Sequence, residues 1–105
     1  MDAEGLAARL AAIASPPRLR ILAALADGPL HVGDLARRAG MSRARLYMHL
    51  TRLEEAGFGT GRLELGPDGT ALKFCEIVPF RVDLDLAAIV AAVRSTPPVP
   101  PKETP

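Results

Sequence analysis

Apolar residues recur with a helical period through much of this chain, and the period breaks at a few marked points. Leu6, Leu10 and Ile13 form one stripe, predicting a helix over residues 3–14. Ser15-Pro16-Pro17 interrupts it: Ser15 is a suitable cap and Pro16 suits a first helical position. A second helix follows over 17–26, with Leu19, Leu22 and Leu25 expected inward and Asp27-Gly28-Pro29 closing it. In 31–57, Leu35 and Ala36 mark the inner face of a third helix. Leu46, Leu50 and Leu53 (i, i+4, i+7) mark that of a fourth. Gly40-Met41-Ser42 forms the tight turn between them, Ser42 being the N-cap, and Gly57 is the stop after Ala56.

Beyond Gly57 the period changes. In 60–65 and 71–78 apolar residues alternate with polar ones: Leu63 and Leu65 flank Glu64, and Leu72 and Phe74 flank Lys73. Gly66-Pro67-Asp68-Gly69 between them has Pro at the second turn position and Gly at the fourth, which predicts a β-hairpin ended by Pro79. Leu86, Ile89, Val90 and Val93 then restore a helical stripe over 83–94. The final ten residues contain five prolines and are expected to be an extended, flexible tail. The expected architecture is therefore mainly α with a small β-hairpin, a winged helix-turn-helix of five helices and a two-stranded wing. Residues 1–95 form the domain and 96–105 the tail.

Composition narrows the class. With no Trp, one Tyr and three Phe, the core must be built from Leu, Ala, Val and Ile. No run reaches the roughly 18 apolar residues of a membrane span. The opening residues include Asp2 and Glu4 and lack the basic region of a secretory leader. A single cysteine, Cys75, excludes an internal disulfide and fits a reducing cytoplasm. The formal net charge is only +1, yet residues 16–52 hold seven arginines against Asp27 and Asp34. A basic face is thus compatible with a near-neutral chain.

That face falls on the helix-turn-helix, whose second helix is shaped to enter a DNA major groove. Ser42, Arg43, Arg45, Tyr47, Met48, His49 and Arg52 on it, with Arg37 and Arg38 at the end of the preceding helix and Arg62 on the wing, form the expected DNA-binding set. Arg43 and Arg45 occupy the first turn, where a guanidinium pairs bidentately with guanine or contacts phosphate. Tyr47 is placed to donate its hydroxyl to a phosphate or to pack over the helix. Met48 is placed to touch a thymine methyl or to be buried in a dimer. His49 suits a structural hydrogen bond or a phosphate contact better than metal ligation. Arg37 and Arg38 suit phosphate or simply the C-terminus of their own helix, and Arg52 suits phosphate, while Asp68 at the wing tip disfavours it. Leu6, Leu10, Ile13, Leu86, Ile89, Val90 and Val93 exceed what one core needs and are the expected homodimer interface.

The stretch from Ser15 to Phe58, from its Pro-x-Arg-Leu-x-Ile-Leu opening to His49-Leu50 and Glu55-Ala56-Gly57, resembles the ArsR/SmtB-like winged-helix transcriptional regulators, and the resemblance continues through the hairpin to Val78. The resemblance implies a cytoplasmic, dimeric DNA-binding regulator reading an inverted repeat, its effector undefined. It does not extend to metal sensing. Members that sense metals carry Cys-x-Cys before the recognition helix, or Asp and His on the last helix. Here the first stretch is His31-Val32-Gly33-Asp34-Leu35, and the last helix offers Asp83 and Asp85 without His. No metal and no cofactor are therefore expected. No phosphate loop or catalytic triad supports an enzyme. The competing expectation is a winged helix that binds protein and not DNA.

Overall fold

The computed structural model describes residues 1–95, and the expected tail, 96–105, lies outside the described residues. The elements run α1 (Ala3–Ile13), α2 (Pro16–Ala24), β1 (Leu30–His31), α3 (Val32–Ala39), α4 (Arg43–Glu55), β2 (Gly59–Leu65), β3 (Ala71–Ile77) and α5 (Leu86–Ser95). The fold is mostly helical, with five helices and a small antiparallel sheet.

Each helix start carries a side-chain acceptor for an otherwise free amide. Asp2 Oδ1 accepts from the Gly5 amide at 2.8 Å, and Ser42 Oγ from the Arg45 amide at 3.2 Å. The Nδ1 of His31 accepts from Gly33 at 3.1 Å. Gly40 and Gly57 stop α3 and α4 with φ of 69° and 83°. In this left-handed region the Met41 amide reaches back to the Ala36 carbonyl, and the Phe58 amide to that of Leu53.

The sheet has three strands in the order β1-β3-β2, not the two of the expected wing. β1 pairs Leu30 with Cys75 and His31 with Phe74. Two residues cannot display an alternation, so only this partner strand reveals β1. The hairpin itself is as the turn chemistry predicts. Gly69 donates to the Gly66 carbonyl at 2.9 Å, and Leu65 faces Ala71.

The core gathers Ile21, Leu22, Leu25, Val32, Leu35, Ala36, Leu46, Leu50, Leu53, Phe58 and Cys75. Burying each large aliphatic side chain contributes about 1.5–3 kcal/mol, and three of them lie on α4. Leu19 departs from expectation: it is exposed, and Ile21 is fully buried instead. At about 100° per residue, the core arc of α2 centres on Leu25 between Ile21 and Leu22, and Leu19 falls outside it. α5 begins at Leu86, three residues later than expected, because the Asp85 carboxylate accepts from the Ala88 amide at 2.8 Å as a cap. Asp83 and Asp85 thus precede the helix.

Candidate nucleic-acid interface

α4 is fixed by its inner stripe and leaves its other face open. Leu46, Leu50 and Leu53 are buried, which turns Arg43, Arg45, Tyr47, Met48 and Arg52 outward. Ser42 is exposed at the N-cap. The structure thus leaves six of the expected DNA-binding residues exposed along α4 and its N-cap, Arg43 and Arg45 on opposite flanks, with Arg37 and Arg38 exposed at the end of α3.

Their local partners differ. The guanidinium of Arg43 folds over the first turn of α3, so close that a β-carbon on Gly33 would stand 2.8 Å from its Nη2. Arg37 is engaged by Asp34 one turn earlier on α3. Lys73 on β3 reaches across to α4, its ammonium 5.2 Å from the centre of the Tyr47 ring. This contact places the Lys73 side of the wing beside the outward face of the helix.

Two of the expected contacts are placed otherwise. His49 points inward and is 7 % exposed. One turn after Leu46, it shares the inner stripe, and its Nδ1 lies 3.1 Å from Nη1 of Arg18. Since a guanidinium only donates, Nδ1 accepts and the neutral ring carries its proton on Nε2. Burial, and then the positive charges of Arg18, Arg45 and Arg52, hold the imidazole below its ordinary pKa. His49 is therefore a structural residue. Arg62 is exposed on the wing but bound on both sides, by Glu64 at 2.7 Å and Glu76 at 3.0 Å. Those hydrogen bonds raise its pKa and cancel its charge locally. With Asp68 at the tip, the outer wing is not a basic surface.

Sequence reasoning missed Arg18. It counts towards the basic segment, yet it is half-buried. Its Nε donates to the Ala12 carbonyl at 2.6 Å and its Nη2 to that of Ala11 at 3.2 Å, closing the end of α1. One side chain thereby ties α1, α2 and α4 together. The cue was present in the break at Ser15-Pro16-Pro17, which leaves α1 carbonyls needing a donor.

The apolar residues expected at a dimer interface divide into two groups, those of α1 partly covered within the chain and those of α5 left exposed. α1 and α5 pack together, with Leu6, Leu10 and Ile13 half-buried. Leu86, Ile89, Val90 and Val93 remain 75 %, 42 %, 37 % and 58 % exposed. Cys75 is buried in the core, and burial pushes its thiol pKa up. No helix among the described residues is long and apolar enough to cross a membrane.

Known proteins share this arrangement. Residues 15–58 match the description "Bacterial regulatory protein, arsR family". Nodulation protein NolR of Rhizobium meliloti is 44 % identical over 52 residues, which span 50 % of this chain and 43 % of that protein. Among solved structures, NolR from Sinorhizobium fredii superposes with a TM-score of 0.65 at 30 % identity, covering 73 % of this chain and 72 % of that one. The homodimeric winged helix-turn-helix DNA-binding domain of Mb0332 from Mycobacterium bovis gives 0.61 at 30 %, covering 70 % and 64 %. Reduced HlyU from Vibrio cholerae gives 0.61 at 26 %, covering 85 % and 82 %. The family is one of regulators and not of enzymes. With NolR from Sinorhizobium fredii 30 % identical and covered over 72 % of its length, and residues 15–58 matching the arsR description, this chain belongs to the arsR family of bacterial regulatory proteins.

Proposed function

We propose that the protein is a cytoplasmic, sequence-specific transcriptional regulator that binds double-stranded DNA as a homodimer. The single observation carrying this reading is the exposed face of α4, where Arg43, Arg45, Tyr47 and Met48 project from a helix anchored by three buried leucines. Arg45 is the first base-contacting candidate, because Arg43 lies against α3 in the free protein. Arg37, Arg38 and Arg52 supply phosphate contacts. Dimerisation through α1 and α5 covers the apolar residues left exposed there and agrees with the homodimeric Mycobacterium bovis domain. A two-fold dimer sets its recognition helices about 34 Å apart, one turn of DNA, and so reads an inverted repeat.

One observation favours a second reading, a protein-binding adaptor: the wing is neutralised at Arg62 and acidic at Asp68. Selection of bound sequences from random DNA, followed by a mobility-shift assay over a salt series, separates the two. A regulator enriches one palindromic sequence and holds it against excess competitor DNA. An adaptor enriches none.

A further inference from the structure

Only two of the chain's arginines are half-buried, Arg9 and Arg18. Arg18 directs its fork at two carbonyls and the His49 ring. Arg9 has no such partners: among the described residues it makes no hydrogen bond and no ion pair. Its guanidinium carbon lies instead 4.6 Å from the centre of the fully buried Phe58 ring, which Phe80 meets edge-on at 4.5 Å. The aromatic face attracts the guanidinium charge but satisfies none of its five N–H donors. Arg9 is half-buried, so its donors face the water of the surface, and an anion held beside it would replace that water with directed hydrogen bonds.

The same arginine lines a pocket of about 240 Å³ between α1, α5 and the segment joining β3 to α5. Leu6, Leu10, Val82, Ala88 and Ala92 give it apolar walls. Arg81 and Asp83 stand at its edge, paired through Nε and Oδ1 at 2.9 Å. That pair adds no net charge, so Arg9 sets the sign of the pocket. Its volume is below the roughly 300 Å³ at which pockets for drug-sized ligands begin.

We propose that this pocket binds a small organic monocarboxylate with an aliphatic or aromatic body. The carboxylate accepts two parallel hydrogen bonds from the Arg9 fork, the pairing for which guanidinium geometry is suited. The body lies against Leu6, Leu10 and Ala92. A purely apolar ligand leaves Arg9 unpaired, and an inorganic anion leaves the walls wet. The class thus follows from the two halves together. The site lies within one chain and shares none of the exposed α5 residues Leu86, Ile89, Val90 and Val93 left to the dimer; it does not depend on DNA binding and is tested without DNA.

Octanoate, phenylacetate and octanol are titrated into the full chain by isothermal calorimetry and by NMR of the methyl groups of Leu6 and Leu10. One or both carboxylates bind saturably at one site per chain and shift those methyls, while octanol binds at least about tenfold more weakly. Arg9→Gln lowers carboxylate affinity about tenfold or more, with unchanged helix content by circular dichroism. Ala92→Val, which narrows the pocket without touching its charge, weakens phenylacetate in a chain that retains Arg9. Absence of saturable binding by both carboxylates at millimolar concentration overturns the proposal. So does binding that Arg9→Gln leaves unchanged, or octanol binding as tightly as octanoate.

Discussion

Arg18→Met tests the internal frame on which the recognition helix rests. Methionine keeps the aliphatic stem and removes the guanidinium, so three contacts disappear while packing is largely retained. The Ala11 carbonyl is at an exposed residue and finds water instead. The Ala12 carbonyl and His49 Nδ1 belong to residues only 8 % and 7 % exposed, and both acceptors lose their donor. A buried acceptor left unpaired costs about 1–3 kcal/mol. Two neighbouring sites that relax together give a combined loss of about 2–4 kcal/mol. Against a total stability of about 5–15 kcal/mol this is a large fraction. It lowers Tm by on the order of 10–20 °C in a domain of this size. Urea denaturation followed by circular dichroism measures it directly. Adding His49→Leu to Arg18→Met restores part of the loss, because both polar partners are then gone. A destabilisation under about 0.5 kcal/mol, typical of a surface substitution, refutes the structural role of Arg18.

Three further outcomes follow from the same geometry. His49 titrates below its ordinary 6.5 in the folded protein, so on acidification the unfolded chain takes up the proton first. Its contribution to stability is complete above 6.5 and falls as the pH drops from there towards the folded value. Urea midpoints measured across that interval decline in the native chain and decline less in His49→Leu; identical slopes contradict the assignment. Cys75 is 1 % exposed with its thiol pKa raised by burial. It reacts with an alkylating reagent far more slowly in the folded protein than in urea, and equal rates contradict its burial. Val93→Glu on the exposed face of α5 converts the dimer to monomer in sedimentation at micromolar concentration. An unchanged sedimentation coefficient places the dimer interface elsewhere.

The elements legible in the sequence are those where one periodicity governs many residues. Leu46, Leu50 and Leu53 fix the orientation of α4, and with it the outward turn of Arg43, Arg45, Tyr47 and Met48. The Gly66–Gly69 turn and both glycine helix stops rest on local backbone requirements and are equally readable. What escapes is decided by partners distant in sequence. β1 exists only because Cys75 and Phe74 lie beside it. His49 is polar by type, yet it lies inward because Arg18, 31 residues earlier, supplies its hydrogen bond. Arg62 reads as a free cation in sequence, but strand pairing brings Glu76 diagonally within reach on the neighbouring strand. In each case the partner, and not the residue type, decides the role.

The reading of DNA bases by the outward face of α4 is open to direct measurement. Its most direct test is an operator shift assay, with and without competitor DNA, comparing the native chain with Arg45→Ala and with the Arg43→Ala/Arg45→Ala double variant. A bidentate contact to guanine is worth about 1–3 kcal/mol. Arg45→Ala therefore weakens specific binding by about ten- to hundredfold and non-specific binding far less, and the double variant no longer distinguishes operator from competitor. Arg52→Ala, removing a phosphate contact, weakens both alike and lowers the salt slope by about one per subunit. Operator binding that survives the double change with its specificity intact contradicts the claim and puts the recognition surface elsewhere on the protein.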